Sequence, residues 1–222
     1  FEFDAVALCA QDHGTPPANV SHLDFRHNLF QEQLNLKPHP SALMFHSDEV
    51  PEVFNRLATM AADARRLQSG EVYVMDSGMA AVTGASMDMQ AQGEKVCIVV
   101  DIATSHTVCA SMAGTELMGF FEYHTRDITL KKLERLIPAL SDGKIEHEAI
   151  LAEGGHGAYL NKAVEFASVN KIIVTGPKRR IISGSYLPVV WGAPWGDNMM
   201  TGTVGLLEAF RLRKGLAPIS FL

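Results

Sequence analysis

The sequence predicts an α/β fold built on a mixed sheet. Three observations predict it. Residues 3–10, 95–102 and 171–175 are predominantly apolar runs of strand length, as expected for buried strands. Segments with helical apolar spacing fall between the strand-like runs. Two further strand-like runs, 107–112 and 116–123, flank Ala113-Gly114 as one hairpin. Alternation of strands and helices with a single hairpin is the pattern of a mixed α/β sheet.

The elements follow in order. The run 3–10 stops at Gln11-Asp12-His13-Gly14, and Pro16-Pro17 marks a loop. Pro38 and Pro40 argue against a long helix within 21–50. A helix is expected over 51–67, with Phe54, Leu57, Ala61 and Ala64 on one face. A short strand at 71–75 leads into Asp76-Ser77-Gly78, and small residues over 79–87 suit a closely packed helix. Leu130, Leu133, Ile137 and Leu140 mark another helix, with Pro138 inside it. A short strand is expected at 149–152 and a helix at 158–167. The strand 171–175 stops at Gly176-Pro177, and a last helix runs from about 198 to 213.

Composition excludes several classes of function. Of the 222 residues, 47% are hydrophobic, enough for a sizeable core in one large or two small domains. The net charge of −6 argues against nucleic acid or an anionic membrane as partner. The sequence contains neither an apolar run of transmembrane length nor a visible signal peptide. Cys9, Cys97 and Cys109 are too scattered for a disulfide framework or an Fe–S cluster, so a reduced, cytoplasmic setting is expected. The chain opens on Phe1 inside a strand-like run, so truncation at the amino terminus is expected.

Five segments carry residues suited to chemistry. In the first, a buried strand delivers Asp101 to a turn holding Thr104, Ser105, His106 and Thr107. Such a turn can aim amides and hydroxyls at phosphate, and a strand-end Asp can hold Mg²⁺. A polar turn satisfying its own backbone is the alternative. In the second, Asp76 precedes a helix start made of small residues, which favours an anion. Asp76 reads either as a helix cap or as a general base in phosphoryl transfer. In the third, Gly154, Gly155 and Gly157 form a glycine-rich turn, able to lie against a nucleotide or simply to join two elements. In the fourth, Gln11, Asp12 and His13 at a strand end could read a substrate or form a turn. In the fifth, Asp197 is expected to cap the last helix. His13, His106 and His156 all follow expected strand ends, although their spacing matches no standard zinc pattern.

Taken in order, QDHG, DSGMAAVTGA, VVDIATSHT, EYHT, EGGHGA and GDNMMTGTVGLLEAF resemble the family labelled as a pyruvate formate-lyase activating enzyme. The label implies radical chemistry on an Fe–S cluster held by a tight Cys triplet, which this sequence lacks, so that activity is not expected. In that family an Asp-Gly-Thr phosphate loop opens a longer amino terminus. At greater distance the motifs are similar to those of the actin, hexokinase and Hsp70 superfamily, especially sugar kinases of the xylulokinase type.

The resemblance implies an actin-like ATPase (ribonuclease H-like) fold, using ATP and Mg²⁺. Residues 1–70 would be the remainder of an amino-terminal lobe, and 71–222 the carboxy-terminal lobe. Asp76 would be catalytic, and Asp101 would serve phosphate and metal. Thr104, Ser105, His106, Thr107, Gly154, Gly155 and Gly157 would hold nucleotide. Gln11, Asp12 and His13 would contact a small-molecule or protein substrate. The activity implied is phosphotransferase or ATPase, with a non-catalytic nucleotide-binding or partner-activating module as the alternative. Ala103 stands where such phosphate turns carry Gly.

Overall fold

In a computed structural model that describes residues 2–219, two sheets share one core. The first sheet has the order β1-β3-β2, from β1 (Phe3–Ala10), β2 (Met44–His46) and β3 (Ser69–Asp76). The second comprises β4 (Val96–Ile102), β5 (His106–Ala113), β6 (Glu116–His124), β7 (Gly157–Leu160), β8 (Ile172–Thr175) and β9 (Val189–Trp191). Its order is β7-β6-β5-β4-β8-β9. The fold is therefore α/β with mixed sheets, because β4–β8 and β8–β9 are parallel while β4 through β7 pair antiparallel.

Central strand β4 shows why its run up to Asp101 reads as apolar. Cys97 and Val99 face one cluster, with β1, β3 and α3 (Ser77–Ser86). Ile98, Val100 and Ile102 face a second cluster under α4 (Leu130–Ser141), which contributes Leu133, Leu136, Ile137 and Leu140. Period-2 alternation between two apolar faces leaves no polar side to the strand. α3 packs against α6 (Thr201–Lys214), completing the layer between the sheets. Pro138 is accommodated inside α4.

Several local expectations are corrected. A 15-residue helix, α1 (His22–Leu36), occupies the region expected to lack a long one, because Pro38 and Pro40 follow it and do not interrupt it. Its buried stripe is Arg26, Phe30 and Leu34, so a cation sits where an apolar residue would announce a helix. Residues 149–152, expected as a strand, belong to α5 (His147–Ala152). The helix closes as Gly154 N–H and Gly155 N–H bond to Leu151 and Ile150 carbonyls, with Gly154 at φ +82°. The helix expected at 158–167 is instead β7 and a loop, because residues 157–160 complete a ladder against 119–122. Helix α2 (Asn55–Ala64) is shorter than expected at both ends. The last helix starts at Thr201, after a 3-10 turn that Asp197 caps through Met199 N–H. The boundary expected at residue 70 falls within β3, which pairs with β1. Among the described residues, no helix is long and apolar enough to cross a membrane.

Candidate functional site

A cleft of about 490 Å³ opens where β4 ends, between the amino-terminal turns of α3 and α6. In register, Asp101 lies beside Thr175 of parallel β8, so both carboxyl ends reach one edge of the sheet. The edge where parallel strands end is where α/β folds offer ligand sites. Asp101 lines the cleft with Ala103, Thr104, Ser105 and His106 from the β4–β5 turn. Ser77 and Gly78 enter from α3, and Thr201 and Gly202 from α6. Helix starts present amides without helical partners and the positive end of the helix dipole.

Asp101 accepts a 2.8 Å hydrogen bond from Thr175 Oγ1, and burial raises its pKa. Thr107 stays off the cleft wall. Its hydroxyl is 3.0 Å from that of Thr125, which bonds to the Ala103 carbonyl and braces the turn. Asp76 also lies behind the wall, 3% exposed. Its Oδ1 accepts from Met79 N–H at the start of α3, and its Oδ2 accepts from Arg26 at 2.9 Å. Burial is the largest influence on this carboxyl and raises its pKa, against the pull of Arg26.

Arg26 joins Asp76 to Glu122, whose Oε2 lies 2.8 Å away. Burial opposes ionisation of Glu122, yet the Arg26 charge and neighbouring His156 hold its carboxyl well below the usual range. The same pairing holds Arg26 protonated despite its burial. Gln11 reaches the cleft and donates to Glu122, while Asp12 accepts from Gly14 N–H and caps α2 through Leu57 N–H. His13 is set behind, beside His106 and His156. Burial lowers the pKa of His13 and brings that of His106 down to about 4.

The structure thus brings Gln11, Asp101, Thr104, Ser105 and His106 to one cleft. Gly154, Gly155 and Gly157 are not on its wall. A Cβ on Gly155 would strike Ile150 and Tyr123, and one on Gly157 would strike His147, so these glycines serve close packing. Sequence reasoning missed Gly176, Pro177 and Asn198 as cleft residues. The strand-ending Gly-Pro after 171–175 was the available signal. Gly176 has φ +92° and donates to Asn198 Oδ1 at 2.8 Å, tying the β8 end to the turn before α6. Arg56 lines the cleft and donates to the Gln11 carbonyl.

Cys97 and Cys109 are buried in adjacent strands, and Cys9 is partly buried in the other sheet. Burial pushes the Cys97 thiol up to about 11 and raises Cys109 further, which opposes the thiolate form that metal clusters use.

Among solved structures, the chain is similar to one described as "Crystal structure of apo psk41 parM protein", at 14% identity and TM-score 0.34, covering 72% of this chain and 61% of that one. It is also similar to one described as "Alp12 filament structure", at 11% identity and TM-score 0.36, covering 67% and 55%. The chain therefore spans about three fifths of the length of the solved proteins it matches. No curated protein matches it. The family described as "Putative pyruvate format-lyase activating enzyme (DUF1786)" matches residues 1–181, and the chain belongs to that family.

Proposed function

We propose that the chain binds ATP with Mg²⁺ and acts as an ATP-dependent phosphotransferase or ATPase, the phosphates occupying the cleft at the end of β4. One observation carries this reading: two helix starts, a hydroxyl-rich turn and a strand-end carboxylate line the same 490 Å³ space. The lining set fits the ligand. Ser77, Gly78 and Gly202 offer an anion the amino-terminal turns of α3 and α6, and Thr104 and Ser105 add hydroxyls. Arg56 contributes positive charge at the rim, and Asp101 supplies an oxygen suited to Mg²⁺, directly or through water. Magnesium would supply charge neutralisation for the phosphates. This chain's own groups would orient those phosphates.

A second reading, a nucleotide-binding module without turnover, is favoured by Asp76. Its two oxygens are committed to Arg26 and to the start of α3, which leaves it poorly set to accept a proton from a substrate.

Equilibrium dialysis with Mg-ATP tests the shared claim. Saturable binding at millimolar nucleotide or below is expected, and its absence overturns both readings. Phosphate release then separates them. Turnover that D76N lowers supports the enzyme, whereas binding with no product, unchanged in D76N, supports the module.

A further inference from the structure

Behind the cleft, three imidazoles from distant parts of the chain meet. His13 follows β1, His106 opens β5, and His156 precedes β7. Their ring centroids are 6.0, 5.5 and 4.9 Å apart, and one ring nitrogen from each lies within 4.8 Å of the others. His13 Nδ1, His106 Nε2 and His156 Nδ1 are buried without a hydrogen-bond partner. His156 is 7% exposed, and its Nδ1 stands 3.5 Å from Glu122 Oε1, too poorly aligned to hydrogen-bond. Buried polar atoms nearly always find a partner, so three such nitrogens in one cluster of imidazoles need an explanation.

We propose that His13, His106 and His156 form a site for a divalent transition-metal ion of the zinc class. Imidazole nitrogen is a favoured donor for such ions and a poor one for Mg²⁺, which separates this site chemically from Asp101. A tetrahedral ion holds nitrogens about 2.0–2.1 Å from itself, so ligand nitrogens sit ~3.3 Å apart. Ring rotations closing the 4.8 Å spacing by about 1.5 Å would complete the set. Three protein donors leave a fourth position for water or an oxygen of a bound anion, as in open zinc sites. Glu122 is the outer carboxylate, already fixed by Arg26 and facing His156 Nδ1, which would leave His156 Nε2 for the ion. His106 belongs to both the cluster and the cleft wall, so the ion would border the cleft.

The test is metal binding by untagged chain, dialysed against chelator and then titrated with Zn²⁺, and with Co²⁺ as a spectroscopic probe, without nucleotide. About one equivalent of zinc is expected, with Co²⁺ absorption of a low-coordinate nitrogen site. H13A and H156A should each weaken zinc at least about tenfold, while H147A, in the separate His27–His147 pair, should not. Circular dichroism would confirm that the variants fold. Wild-type protein binding less than about 0.2 equivalents, or H13A/H156A retaining full stoichiometry, overturns the proposal. Because no nucleotide is present, failure here is distinct from failure to bind ATP.

Discussion

Gly84 and Gly205 face each other where α3 crosses α6, and neither has room for a Cβ. One built on Gly84 would collide with the Thr201 carbonyl oxygen, and one on Gly205 with that of Ala80. The two backbones touch, which fixes the distance between the helix starts that flank the cleft. In an open helix, Gly→Ala stabilises by about 1 kcal/mol. Here G205A is expected to destabilise by about 3 kcal/mol, since the clash involves backbone on both sides. Urea unfolding checks this, and ATP affinity should fall along with stability. A variant as stable as the parent would show that the crossing has slack.

Arg26 bridges the buried carboxylates Asp76 and Glu122, with His156 also beside Glu122. R26L should cost about 3–5 kcal/mol at neutral pH, because it strands both charges. The sign of the pH effect is diagnostic. Without Arg26, burial raises both carboxyl pKa values in the folded state, so R26L should regain stability as pH falls from 7 to 5. Denaturant midpoints of R26L measured beside wild type across that range would reveal it, and a stability gap that does not narrow on acidification contradicts the role assigned to Arg26.

Burial brings His27 and His39 down to about 4, with the charges of His147 and Lys37 respectively adding to the effect. Protons therefore bind more readily to the unfolded chain, near pH 6.5. Stability from these residues is complete above that value and is lost as pH falls toward 4. His39 Nδ1 accepts from Ser41 N–H, a bond that protonation removes. The melting temperature of wild type should drop by several degrees between pH 7 and pH 5. H39N, which keeps an acceptor but not the titration, should show a shallower slope.

Asp101→Asn should leave the fold intact, since the amide oxygen still accepts from Thr175. Mg²⁺-dependent ATP binding should weaken about tenfold, ~1.4 kcal/mol, while binding without metal changes little. Calorimetry with and without Mg²⁺ measures both, and equal losses would remove Asp101 from the metal role.

How far the sequence reaches is clear from particular residues. Strand β1 was legible end to end although it is only partly buried, and β4, β8 and the β5–β6 hairpin to within about a residue, because strands packed between apolar layers read as nearly continuous apolar runs. Asp101 and its turn were legible because a charge at the end of such a run stands out. Helix α1 was not, since its inner stripe includes Arg26, whose partners Asp76 and Glu122 lie 50 and 96 residues away. The four-residue run at 149–152 fits either helix or strand, and only Gly154 in the left-handed region decides it. The contribution of Gly176 and Asn198 to the cleft depended on the parallel pairing of β4 with β8, which local pattern does not report.

That pairing also bears on how the molecule assembles. Asp101 and Thr175 are 74 residues apart, and joining them closes a long loop before any ladder energy is gained. During synthesis β4 emerges well ahead of β8, so its outer edge stays open to other chains until the carboxy-terminal third arrives.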